Sequence, residues 1–336
     1  MSHPQLITAT LLILASAISF PLKTKPTGGW LLVANKGEQT LGIVDPETGR
    51  QISVVAEGAV TGHEVVASPD GRFAYVPIYG NSGVGKPGTN GSTIVVVDLA
   101  ARRISGTVDL GRGVRPHCAV FGPRDGLLYV TTEIENSITV IDPKTLKVVG
   151  TVPTGQPESH MLAISHDGKR GYTANVGPGT VSVLDLASRK PVTVIPVCRT
   201  TQRISLSVDD RFVFTADQAS PRLAVIDTAT NKVKAWITLP GLGYGSAPTP
   251  DGKWLVIALP ELNKVAVIDL AAMKVTAALD VPASPQEVLI PPDGKVAYVS
   301  CDSSRKVAVI NVAEWKVEPA IDAGKGADGL AWAPSN

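Results

Sequence analysis

The sequence predicts an all-β fold: a seven-bladed β-propeller with four-stranded blades, closed by the C-terminal strand joining the N-terminal blade. Three observations predict it. A phrase of β-branched residues ending in an acidic one returns at Asp45, Asp98, Asp142, Asp185, Asp227, Asp269 and, as an amide, Asn311. After a longer first step its spacing settles at about 42 residues, the length of one propeller blade. The two ends of the chain are complementary. Trp30-Leu31-Leu32-Val33-Ala34-Asn35 reads as a second strand with no first, and Gly329-Leu330-Ala331-Trp332-Ala333-Pro334 as a first strand with nothing after it. Finally, 32 Gly and 26 Pro among many Val, Ile and Thr suit short strands and tight turns, not long helices.

Composition narrows the function classes. Lys and Arg (31) balance Asp and Glu (30), which excludes a basic surface built to hold nucleic acid phosphates and an acidic solvating chain. Hydrophobic residues at 44% against 18% charged can build a large core in 336 residues. The three cysteines cannot all pair, and no CxxC or CxxCH occurs, so ribbon-type zinc and covalent c-type haem are excluded on spacing.

In chain order, the first element is an apolar run from Leu6 to Ile18 with the small-x-small pattern Ala15-Ser16-Ala17. It reads as a signal peptide over 1–17, although its n-region lacks Lys and Arg. The expected product is periplasmic or secreted, a monomer with no membrane segment once the signal is removed. A single propeller follows over 28–336. Six of the seven blades have an early hairpin: Ser68-Pro69-Asp70-Gly71, Pro123-Arg124-Asp125-Gly126, His166-Asp167-Gly168, Val208-Asp209-Asp210, Pro250-Asp251-Gly252 and Pro292-Asp293-Gly294. The Asp of the Val-Ile-Asp phrase falls in the turn between the last two strands, where its carboxylate can accept backbone N–H bonds.

The motifs Tyr75-Val76-Pro77, Tyr129-Val130-Thr131-Thr132, Tyr172-Thr173-Ala174-Asn175 and Tyr298-Val299-Ser300, with the Pro-Asp-Gly and Val-Ile-Asp phrases, resemble the YVTN-repeat family of bacterial seven-bladed propellers, often exported. The resemblance covers about residues 28 to 336 and implies the architecture. It implies no single activity: related propellers bind haem d, quinone or copper, or act as metal-assisted lactonases and lyases. Function has to be read from the site.

Six positions before the proline position of each first-strand hairpin, held by His166 and Val208 in two of them, lie His63, His117, His160, Gln202, Tyr244, Gln286 and Asp328, all polar. First strands line the axis of a propeller, so these residues should ring one mouth of the channel. Of five histidines, three share this register on consecutive blades. Three imidazoles with an open fourth position suit one divalent ion, zinc first, with copper, nickel or iron as alternatives. The next register position holds Glu64, Cys118, Met161, Arg203, Gly245, Glu287 and Gly329, which strand alternation should turn away from the ring. Cys118 and Met161 beside two of the histidines are what a copper site would use. The mouth also collects Asn35, Thr132, Glu133, Asn175, Asp217 and Cys301 from second strands, and Arg115, Glu158 and Thr200 from the loops.

The long first interval carries an insertion, Tyr79 to Gly91. Its GxxxxGK spacing (Gly80, Gly85, Lys86) resembles a phosphate loop, but Pro87 replaces the Ser or Thr that would hold magnesium and no helix follows. A cover over the mouth is the better reading. The function expected is an exported metal-dependent hydrolase of lactones, esters or phosphoesters acting on a small-molecule substrate, with a lyase also open. Glu64 or Asp328 would be the base and Arg203 a catalytic anion-holding group; Arg115, Tyr244, Gln202, Gln286 and Glu133 would contact substrate. The alternatives are a non-catalytic exported propeller that binds a metal, cofactor or protein partner, and a haem-related redox protein.

Overall fold

The computed structural model describes residues 28–58 and 61–335. The signal peptide expected over 1–17 lies outside the described residues. Among the described residues, helix is confined to three 3-10 turns, Glu133–Glu135, Pro260–Leu262 and Asp302–Ser304, and no helix is long and apolar enough to cross a membrane.

Seven antiparallel four-stranded sheets make up the fold, each running from an inner first strand to an outer fourth. The first blade takes its inner strand from the other end of the chain. Ala327–Pro334 pairs with Gly29–Asn35, matching Trp30 with Ala333 and Val33 with Leu330. Blades two to seven follow in order, with inner strands Val66–Ala67, Pro116–Phe121, Ser159–Ile164, Ser205–Leu206, Ser246–Pro248 and Pro285–Leu289. Closure covers the edge of Gly29–Asn35, which would otherwise lie open to another chain.

Burial explains the sequence pattern blade by blade. Third strands such as Thr40–Asp45 and Thr180–Asp185 are buried through their middles, because each lies inside its sheet and between two neighbouring sheets. They therefore read as unbroken apolar runs instead of alternating. Outer strands such as Lys147–Pro153 are largely exposed and carry the charges. The apolar contacts that hold the ring lie between blades: Leu32, Ala34, Leu41 and Ile43 of the first pack with Val76, Ile78, Val95 and Val97 of the second.

The face opposite the mouth is made of repeated turns. Asp142 Oδ1 accepts the N–H of Lys144 at 2.8 Å and its Oδ2 the hydroxyl of Thr145 at 3.0 Å; Asp45 does the same with Glu47 and Thr48. Asn311 keeps the pattern through the N–H of Glu314. In the early hairpins Asp70, Asp167, Asp209 and Asp251 take a Ser or Thr hydroxyl two residues back and a backbone N–H two residues on.

Candidate active site at the channel mouth

One backbone hydrogen bond recurs around the mouth and sets the ring. The N–H of the residue after each second-strand motif reaches the loop carbonyl two residues before the ring position. Lys36 bonds Gly326, Tyr79 Thr61, Glu133 Arg115, Val176 Glu158, Gln218 Thr200 and Asp302 Ser284, at 2.9–3.3 Å. Side chains at these positions therefore flank the ring residues.

The three histidines come together. His117 stacks on His160 with centroids 3.6 Å apart, and His63 meets His117 edge-on at 5.6 Å. Gln202, next around the ring, places its amide nitrogen 3.3 Å from His160 Nε2. Burial lowers all three imidazoles from their ordinary range, His63 to about 4 even though Asp328 pulls the other way, so they are neutral at pH 7. Nδ1 of His117 and of His160 are buried without a hydrogen-bond partner. His166 stands apart on the surface, paired with Asp210 at 2.6 Å.

Tyr79 forms the floor of this cluster. Its fully buried ring lies 5.0 Å from His63, 5.1 Å from His117 and 5.9 Å from His160. The sequence reading assigned Tyr79 to the insertion. Instead the second strand runs on from Phe73 to Gly80 and the third begins at Asn90, which leaves 81–89 as the loop. The signal was present: Tyr79 holds the same repeat position as Lys36, Glu133 and Asp302, directly after the tetrad that ends in Asn35, Thr132 or Cys301.

Arg115 and Glu133, expected to meet substrate, are committed to that loop. They pair at 3.1 Å, both buried. Arg115 also donates to Asn90 Oδ1 at 2.7 Å and to the carbonyl of Lys86 at 2.6 Å. Glu133 accepts the Tyr79 hydroxyl and the N–H of Gly85, and its Oε2 lies 3.7 Å from His160 Nδ1. Against the burial that would raise it, contacts with His160, Tyr79 and Gly85 hold the Glu133 carboxyl near 2. Gly85 sits against Glu158, where a Cβ would come within 2.5 Å of the carboxylate. The loop of the second blade thus reaches over the entrances of the third and fourth, as a cover should.

The second register position is the main departure from expectation. Arg203, 4% exposed, meets three carboxylates at once: Glu64 Oε1 at 2.7 Å, Asp328 Oδ1 at 3.0 Å and Glu287. Tyr244 lies under its guanidinium at 4.9 Å. Asp328 is also held by Lys36, which bridges to Asp302. Glu64, Arg203 and Glu287 were expected to turn away from the ring, yet Arg203 meets one of its members, Asp328, and draws Glu64 and Glu287 into the same cluster. Alternation fails because first strands lack regular pairing at this height. Pairing shifts between Pro116 and Ala119, Ser159 and Met161, and Pro285 and Val288, while in the second, fifth and sixth blades regular pairing starts only after it. A bulge sets two residues against one and re-aims the side chains.

Burial raises Glu64 well above the usual carboxylate range and raises Glu287, with Arg203 opposing both. Asp328 is lowered despite its burial, because Lys36 and Arg203 favour its charge. Gly329 belongs to the same layer. Its N–H donates to the His63 carbonyl at 2.8 Å, and a Cβ there would stand 2.6 Å from Glu64 Cα, so the closing strand needs glycine to seat His63. All three cysteines are free; Cys118 is buried, and its thiol is raised by burial to about 12.

The comparisons agree with this architecture. The chain resembles the seven-bladed beta-propeller protein Rv1057 of Mycobacterium tuberculosis, 31% identical over 127 residues; the alignment covers 37% of this chain and 29% of that protein. Among solved structures it superposes on Kuenenia stuttgartiensis hydrazine synthase with a TM-score of 0.70, at 19% identity, covering 81% of this chain and 90% of the other, a likeness of fold. The family model described as lactonase, seven-bladed beta-propeller, matches residues 22–235. With well over half of its length matched, the chain belongs to the lactonase seven-bladed β-propeller family.

Proposed function

We propose that this chain is an exported hydrolase that opens a lactone, or cleaves an ester or phosphoester, at the channel mouth, with His63, His117 and His160 as ligands of one divalent ion. The observation that carries the reading is the histidine cluster. Three imidazoles from successive blades are kept neutral by burial, and two have a buried nitrogen without a partner. Neutral imidazole is the form that binds zinc, copper, nickel or iron, and zinc suits a three-imidazole set best. The family's lactonase description supports an ester as substrate.

The donor chemistry fits a metal, whereas the ring positions do so only after rearrangement. Stacked rings at 3.6 Å aim their nitrogens side by side, and among the described residues no group of three His, Cys, Asp or Glu stands as a ready ligand set. One of the two rings has to turn out of the stack. An ion bound there would polarise the substrate's carbonyl or phosphoryl oxygen and acidify water. The chain's own residues divide the remaining work. Asp328, charged beside His63, and Glu64 are the groups placed to move a proton, with Arg203 holding both. With Arg115 and Glu133 committed to the loop, substrate contacts fall to Gln202, Tyr244 and Gln286. The loop 81–89 excludes water from the histidine side.

The stack favours a second reading, a propeller that binds its ligand without turning it over. One experiment separates the two. Protein loaded with zinc is measured by elemental analysis and assayed on a panel of lactones, aryl esters and phosphotriesters. The hydrolase reading expects about one zinc per chain, chelator-sensitive turnover, and loss of both in His63→Ala, His117→Ala or His160→Ala but not in His166→Ala. Zinc content that is the same in all four variants ends the metal assignment. Bound zinc with no turnover above free-metal background leaves the binding protein.

A further inference from the structure

The residue that follows the outer strand occupies one repeated position in every blade, its N–H bonded back to the start of the third strand. In five blades it is apolar, Leu110, Val197, Leu239, Val281 and Ala323, and in another it is Thr154. The first blade puts Glu57 there. Its N–H makes the same bond, to Gln39 at 3.0 Å, so the carboxylate stands where its counterparts bury methyl groups.

Glu57 is 2% exposed. Oε2 accepts the N–H of Gly62 at 2.8 Å, while Oε1 is shielded from solvent and has no hydrogen-bond partner. Glu57 makes no ion pair among the described residues. Across from it the second blade presents Val76, Pro77 and Ile78: Gly62 bridges Ile78, and a Cβ on Gly62 would come within 2.4 Å of Val76 Cγ1. Of the ionisable side chains on the surrounding segments, Lys36 is engaged by Asp302 and Asp328, and His63 is the residue after Gly62; Ala59 and Val60 carry no charge. A buried carboxylate without a cation is costly to keep and is retained for a role other than packing.

We propose that Glu57 is a positioning residue for His63: its bond to Gly62 seats Thr61–His63 against the second blade, and ionisation of the buried carboxyl weakens that seat. The geometry carries this whatever ligand the mouth takes. Thr61 completes the seat by accepting the N–H of Tyr79 at 3.0 Å and donating its hydroxyl to the Lys36 carbonyl at 2.8 Å, so Gly62 is held between the floor of the cluster and the first blade. Burial pushes the Glu57 carboxyl up to about 7, with the Gly62 N–H pulling it down. A group raised in the seated state favours that state when protonated. Through Glu57 the seat is therefore firmest below the ordinary carboxylate value, loosens as pH rises towards 7, and changes no further above it, while His63, lowered by burial, loosens it towards acid.

Hydrogen exchange at the Gly62 amide, followed by NMR and corrected for the intrinsic rate, tests the proposal on the full chain. The opening of Gly62 in the wild type, divided by that in Glu57→Gln, should increase by up to about tenfold per pH unit from pH 5 to 7 and level off by pH 8, because His63, lowered by burial, contributes alike to both. Glu57→Gln keeps the acceptor and removes the charge, so its opening should retain only the dependence of His63, which favours the open state as pH falls. Glu57→Leu copies Leu110 and Leu239; Gly62 should then exchange fast at every pH, and the ring signals of His63 should move while those of His166 stay. If the leucine variant fails to fold, the glutamine variant still decides. An equal pH slope in wild type and Glu57→Gln, or unmoved His63 signals in a folded Glu57→Leu, overturns the assignment.

Discussion

The two faces of the propeller are built by opposite rules. On the turn face one solution is used again and again: a carboxylate, or once an amide, closes a tight turn on backbone N–H groups. At the mouth the seven ring positions hold four residue types, and their neighbours form two unlike clusters. One is a set of neutral imidazoles over Tyr79; the other is a guanidinium among three carboxylates. Repetition marks what every blade needs in order to fold. Departure from the repeat, at His63, Arg203, Glu133 or Glu57, marks what the ring as a whole is for.

The comparison can be broken at its largest joint first. Deleting 326–336 removes the inner strand of the first blade, Asp328 and the Gly329 seat of His63 together. Thermal unfolding should lose its cooperative transition; a truncated chain that melts like the full one would mean that the two faces do not depend on ring closure. Arg203→Met comes next. It leaves Glu64, Glu287 and Asp328 without their shared cation, and breaking a buried charge network of this kind costs about 3–5 kcal/mol. Denaturant unfolding measures that loss, and adding Glu64→Gln should recover part of it. A cost under about 0.5 kcal/mol would place Arg203 with ordinary surface substitutions. The smallest effect is expected on the turn face. Asp142→Ala loses two solvent-exposed turn bonds in one blade of seven and should lower stability only slightly, without changing the zinc uptake or ligand binding of the protein. A change at the mouth from this substitution would dissolve the distinction between the faces.

How far each face was legible follows from the range of the interactions that make it. The turns were readable because an Asp two residues from its N–H partner needs nothing beyond its own loop. The third strands were readable because burial on both sides leaves an apolar run in the chain itself. The ring register was readable too, by counting back from each hairpin, since inner strands repeat with the blade. Where the count assumed strict alternation, it failed: at the mouth the inner strands are bulged, as at Glu287, or not yet paired, as at Glu64 and Arg203, and nothing local announces that irregularity.

By itself, then, the sequence determined the number of blades, their strands and turns, the join between the two ends, and the arrival of three histidines at one height. Hydrophobic pattern, turn chemistry and repeat length are properties of neighbouring residues, and they survive reading along the chain. Only the tertiary structure decided which side chains meet. Arg203 finds Asp328 across 125 positions, the loop at Gly85 finds Glu133 across 48, and Tyr79 slides beneath imidazoles from three blades. Those meetings depend on ring curvature and on where pairing slips, both set by the packing of whole sheets against one another.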